Sequence, residues 1–139
     1  MAHDDENLYI LVERLDENLY GDDSQSFMFT GADGNNFLVK LDAQGTLSCK
    51  TYIKGRPVDA DIEGIEYHVS IVGSADEKGG DTGMVFEIKL PKKLITIGED
   101  GVLFYNSSLY NKDGANSSTD TFTGASNTDA TTWQRVKLG

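Results

Sequence analysis

The sequence predicts an all-β fold, a two-sheet antiparallel β-sandwich of jelly-roll type. Three observations lead there. Apolar and β-branched runs recur between turn signals from end to end, and the periodicity of an amphipathic helix is nearly absent. The composition, with 15 Gly, 2 Pro and 9% aromatic residues, suits a chain rich in sheet and turns. At 139 residues the chain is the size of one domain and can bury a core without metal or disulfide staples. Residues 4–139 are read as a single β-sandwich module, and Met1, Ala2 and His3 as an expression scar.

Eight strands are expected, in order at residues 8–14, 25–30, 36–41, 46–53, 65–72, 83–90, 102–110 and 133–138. The first, LYILVE, is apolar on both faces, the pattern of a strand covered on both sides. In the second, Phe27 and Phe29 alternate with Met28, so either the two rings or the thioether face the core. The fifth and sixth alternate most cleanly: Ile65, Tyr67, Val69 and Ile71 share one face, as do Met84, Phe86, Ile88 and Leu90. Asp33-Gly34, Gln44-Gly45, Gly79-Gly80 and Asp100-Gly101 supply residues that accept the positive φ of tight turns. Pro91 favours a single helical turn over residues 91–95. About eight strands at this spacing make two packed sheets.

Charge and cysteine content narrow the partners. With 12 basic and 23 acidic residues the net charge is −11, which repels phosphate backbones, anionic lipid and uronic or sulfated glycans, while neutral polysaccharides are indifferent to it. Nucleic acid and membrane are therefore not expected partners, and the module is expected to be a monomer. Cys49 is the single cysteine, which rules out an intrachain disulfide and a cluster of Cys metal ligands. No apolar run reaches the roughly 20 residues of a membrane helix.

Little in the chain points to catalysis. Only two histidines exist, His3 and His68, and no G-x-S-x-G elbow is present. With 23 acids, a carboxylate pair of the glycosidase kind arises by chance. The expectation is a protein that is not an enzyme. DADIEG, from Asp59 to Gly64, begins like a calcium-binding EF-hand loop, but Glu63 and, at the twelfth position, Ser70 depart from it, and a strand follows instead of a helix. A structural calcium held by loop oxygens is open to Asp113, Asn116 and Asp120, or to Asp22 and Asp23; solvated turn acids are the other reading of both sets.

The most informative stretch is the tail. Residues 112–132, KDGANSSTDTFTGASNTDATT, read as a long polar loop with Phe122 as its one large apolar residue, leading into the only tryptophan, Trp133. If Val136 and Leu138 point inward on the last strand, alternation points Trp133 outward. An indole beside a polar loop suits a sugar, whose C–H faces stack on the ring while amides and carboxylates take the hydroxyls. The other role open to Trp133 is to cap the core. Tyr105 and Tyr110, on or just after the preceding strand, either wall the same site with Asn106, Asn111, Asp113 and Asn127 or belong to the core.

Four segments carry a resemblance. DDENLYILVE (residues 4–13), DDSQSFMF (residues 22–29), MVFEIKLPKKLI (residues 84–95) and FYNSSLYNKDG (residues 104–114) occur in the order of the motifs of the family 9-like carbohydrate-binding modules, related to DOMON-like domains. Ser26 stands where that family has an acid, and Lys112 replaces the first Asp of its N-D-x-D pattern. The resemblance implies a non-catalytic module that binds a neutral plant or starch-type glycan. It further implies attachment in cis to a bacterial extracellular or cell-surface protein such as a glycoside hydrolase. With a single tryptophan, Tyr110 or Tyr105 has to stand in for the second ring of a two-tryptophan clamp. The alternative is a structural or adhesion sandwich without a sugar site. A haem-binding relative would need Met28 or His68 as an axial ligand.

Overall fold

The computed structural model describes residues 1–16, 19–72, 83–121 and 124–139. Among them run strands β1 (Ala2–His3), β2 (Asn7–Leu15), β3 (Ser24–Thr30), β4 (Asn36–Asp42), β5 (Leu47–Ile53), β6 (Arg56–Ala60), β7 (Glu66–Val72), β8 (Gly83–Pro91), β9 (Val102–Asp113), β10 (Asn116–Thr121) and β11 (Gln134–Lys137). Two 3₁₀ turns occupy Lys92–Leu94 and Ala130–Thr132. One sheet has the order β1-β2-β8-β7; the other has the order β10-β9-β3-β4-β5-β6, with β11 also on β9. Every pairing is antiparallel, which gives the two-sheet β-sandwich that the alternation predicts.

The core lies between the sheets. Leu8 and Ile10 of β2 and Met84, Phe86, Ile88 and Leu90 of β8 meet Phe27 and Phe29 of β3, Phe37, Val39 and Leu41 of β4 and Leu103 of β9. Phe27 and Phe29 are thus the core-facing pair of their strand, and Phe29 packs its ring against those of Phe37 and Tyr105, each at 5.6 Å between centroids. Met28 points to the outer face of the larger sheet.

All eight expected strands form, with ends moved by a few residues at most. Three more were not foreseen. β1 lies in the segment expected as a scar. β6, RPVDA, is an edge strand that carries a proline and is mostly exposed, and β10, NSSTDT, has no apolar residue and is exposed throughout. Neither gains its place from burial; both complete a backbone ladder. Among the described residues, the stretch expected as one long loop therefore holds a hairpin arm and a 3₁₀ turn. The first strand, expected to be covered on both sides, is covered on one: Leu11 on its outer side is 55% exposed. The Gly79-Gly80 turn and Phe122 lie outside the described residues. The expected helical turn after Pro91 is the 3₁₀ turn Lys92–Leu94.

A polar clamp joins the sheets at one end. Arg14 points inward from β2 and is buried. Its guanidinium donates to the carbonyls of Ser24 (3.4 Å) and Tyr110 (3.1 Å), to Asp16 (2.9 Å) and to Asn111 Oδ1 (3.0 Å). One cation of the small sheet thus holds β3 and β9 of the large one through a planar fork that a lysine cannot reproduce. Beside it the fully buried Asp23 accepts the backbone N–H groups of Tyr20 (2.8 Å) and Lys112 (2.7 Å). Burial pushes its carboxyl above the ordinary value in spite of those two bonds.

Arg14→Ala is expected to cost about 3–5 kcal/mol in urea unfolding, because buried carbonyls lose their donor. Arg14→Lys is expected to recover only part of that loss.

Candidate functional site

Alternation along β9 decides where most of the sequence-predicted site residues go. Tyr105, Asn111 and Asp113 fall on the side that faces the other sheet; Asn106 and Tyr110 fall on the outer side. Tyr105 is a core residue at 9% exposure, and burial raises its phenol. Asn111 accepts from Arg14 and donates to Asp113 at 3.1 Å, so both serve the clamp end of the strand. Asn106 is buried on the outer side and exchanges hydrogen bonds with the Thr121 hydroxyl at 3.1 and 3.3 Å, tying the end of β10 to β9. Tyr110 is half-buried between Ser24 and Thr119. The predicted set therefore does not converge.

Of the two roles open to Trp133, the structure shows the buried, packing one and not the outward ring. The indole is 4% exposed and donates its Nε1–H to the Ser126 carbonyl at 2.7 Å. Alternation fails here because Trp133 precedes the strand: it closes the 3₁₀ turn, its backbone N–H bonded to Ala130, and β11 begins at Gln134. A ring this buried offers no face to a sugar.

The calcium set separates too. Asp113 lies opposite Asn116, and Asp120 lies opposite Leu109. Asp113 and Asp120 are thus four strand positions apart, about 13 Å at the ordinary rise. Among the described residues no group of three or more His, Cys, Asp or Glu could hold a metal ion. Met28 and His68 lie on the outer faces of different sheets and do not share an iron.

The remaining predicted residue, Asn127, leads to a site that the sequence reading missed. β10 and β11 lie end to end along one edge of β9, because Ser108–Tyr110 and Tyr105 already pair with β3 on the other edge. Residues 124–133 lie off that edge and reach over the outer face of the large sheet as far as β5, where Asn127 Nδ2 donates to Tyr52 Oη at 3.4 Å. Met28, Asn106 and Trp133 are buried apart from the main core, on the face this strap crosses. The strap is braced from within: Ser126 N–H donates to the Thr132 hydroxyl (2.8 Å), which donates to the Asp129 carbonyl (2.7 Å).

Between the strap and the ends of β4 and β5 lies a cleft of about 350 Å³. Tyr52, half-buried, forms one wall. Asn35, Asn36 and Thr30 come from the β3–β4 turn, Lys54 and Gly55 from the β5–β6 turn, and Thr128, Asp129 and Ala130 from the strap. Each group is held in place. Thr30 donates to Asn36 Oδ1 at 3.1 Å, and Asp33 takes the backbone and side-chain N–H of Asn35 at 3.0 and 3.3 Å. The Thr131 hydroxyl (2.6 Å) and backbone N–H (3.0 Å) donate to Asp129 and hold its carboxyl below the usual range, so it is anionic at neutral pH. Lys54 sits at φ 50 and Gly55 at φ 75, the paired positive angles of a type I′ hairpin turn, whose first position is usually Asn, Asp or Gly. The strained lysine lines the cleft and has no ion-pair partner among the described residues. The site thus combines a ring, two amides, hydroxyls, a carboxylate and an ammonium, which can take the apolar face and the hydroxyls of a small polar ligand together.

One signal could have found this cleft in the sequence. Lys54-Gly55 closes a two-residue hairpin immediately after Tyr52, but lysine is not among the residues that mark such turns.

Lys54→Asn is expected to stabilise the fold by about 0.5–1 kcal/mol by relieving the left-handed backbone. Trp133→Ala is expected to cost about 3–5 kcal/mol, in keeping with a packing role. Both are read from denaturant midpoints.

No family model matches this chain, and no curated protein matches it. Among solved structures it is similar to a family 9 carbohydrate-binding module from Caldicellulosiruptor kristjanssonii, determined in complex with glucose. The two superpose with a TM-score of 0.66 at 15% sequence identity, over 99% of this chain and 73% of that one. At this identity the likeness is one of fold: the chain has a β-sandwich like that of this module.

Proposed function

We propose that this chain is a non-catalytic carbohydrate-binding module that takes a neutral glycan in the cleft between Tyr52 and the strap. The observation that carries the reading is the donor set of that cleft, mounted on a sandwich whose fold is that of a glucose-bound module. Tyr52 stacks on the apolar face of a sugar ring. Asn36 keeps its side-chain N–H groups for hydroxyl oxygens, since only its Oδ1 is engaged, by Thr30. Asp129 accepts from hydroxyls and Lys54 donates to them. The net charge of −11 and the fixed carboxylate of Asp129 disfavour polyanionic glycans. Affinity is modest, because an open cleft desolvates little surface. In this reading the module belongs to a larger extracellular or cell-surface protein and holds an attached glycoside hydrolase against its polysaccharide.

A structural sandwich without a sugar site is the second reading, and the burial of Trp133 favours it, since the one indole is spent on packing. Affinity electrophoresis separates the two. Through gels containing xylan, β-glucan, mannan, starch or pullulan, the wild type is expected to be retarded by at least one glycan. Tyr52→Ala, folded by circular dichroism, is expected to lose about tenfold in affinity, a change of about 1.4 kcal/mol. Free migration of the wild type in every gel refutes the binding module and leaves the structural sandwich.

A further inference from the structure

A second hollow, of about 250 Å³, lies on the other side of the β3–β4 turn, at the mouth of the sandwich. The half-buried Ile62 and Leu94 supply its apolar lining over the buried edge of Phe37, and Thr51, Asp33 and Lys93 its polar groups. It is mostly apolar where the Tyr52 cleft is mostly polar, and it shares with that cleft a carboxylate already fixed by hydrogen bonds and a lysine with no ion-pair partner among the described residues. Asn35 lines both hollows. The partition that bears Asn35 is rigid, since Gly31 N–H donates to the Asn35 carbonyl (2.8 Å) and Ala32 N–H to the Leu94 carbonyl (2.9 Å). The Thr96 hydroxyl donates to the Gly31 carbonyl at 2.8 Å.

We infer that the two hollows are consecutive subsites for one oligosaccharide that bends over the end of the large sheet, and that the ligand is therefore a curved, α-linked glucan of the starch type. The inference rests on the reading of the Tyr52 cleft as a sugar site. The bend follows from strand alternation. Asn36 and Tyr52 line the first hollow from the outer face, while their chain neighbours Phe37 and Thr51 line the second from the inner face. A ligand that fills both turns around the sheet end at Asn35. α-Linked glucans curve from one unit to the next, whereas β-linked glucans of the cellulose type run straight and would leave the second hollow empty.

Isothermal titration with glucose, maltose and cellobiose tests this, with Lys93→Ala as the second-hollow variant and Tyr52→Ala as the first. Maltose is expected to bind about tenfold more tightly than glucose, a gain of the size that one further well-formed subsite supplies. Cellobiose is expected to gain little over glucose. Lys93→Ala is expected to weaken maltose and leave glucose unchanged, and Tyr52→Ala to weaken both. Glucose binding with no gain for maltose, an equal gain for cellobiose, or a Lys93→Ala effect that is absent or the same on glucose and maltose overturns the second subsite alone. Absence of heat with all three sugars, together with free migration in every glycan gel, overturns the sugar reading and the subsite with it.

Discussion

The edge of β9 that faces away from β3 is shared by two strands, β11 along its first residues and β10 along its last. β10 and β11 run in the same direction along that edge, with Thr121 opposite Ser108 and Gln134 opposite Tyr105, so a short continuation would keep the ladder; the longer chain between them has to leave it and find its hydrogen bonds elsewhere. Here it does so by crossing the outer face of the sheet. Asp129, Thr131 and Thr132 satisfy the strap from within, Trp133 anchors it through the Ser126 carbonyl, and Asn127 reaches Tyr52 on the far side. The cleft is the space left where that crossing meets two hairpin turns. Its geometry is thus a consequence of strand pairing and not of any single motif.

The other end of β9 is held by charge. Arg14 and Asp23 spend their bonding capacity on backbone groups around Tyr110 and Lys112, joining the small sheet to the large one where the apolar core gives out. Burying these charges is costly on its own, and only their multiple partners offset it. The same clamp engages Asn111, whose amide accepts from Arg14 and donates to the exposed Asp113. What reads in the sequence as a polar binding rim is, on that side of β9, the solvated margin of a structural knot.

The fold was legible because burial writes a period of two into the strands it covers. Met84 to Leu90 could be assigned a face from sequence alone; Leu8 to Arg14 could not, because Tyr9 and Leu11 on its outer side are apolar too. β6 and β10 could not, since their places come from backbone ladders at sheet edges, which leave no apolar signature in Pro57 or in NSSTDT. The site was less legible still. Asn127 lies at its margin, yet Tyr52, Lys54, Asn35 and Asn36 belong to turns that are distant in sequence and meet only through the strap. Trp133 was misread for a local reason: the regular alternation begins one residue after it, beyond a turn that polar capping residues define.

The chain holds one tryptophan and one cysteine, and they sit in different layers. Trp133 lies under the strap, apart from the main cluster, while Cys49 belongs to that cluster and its thiol is pushed up by burial, away from the reactive thiolate. Indole emission therefore senses the seating of the strap, and thiol labelling senses the opening of the sandwich. A condition that lifts the strap while the sheets stay closed shifts the first signal and leaves the second silent. The protein carries, without added probes, separate reporters for the face under its strap and for its core.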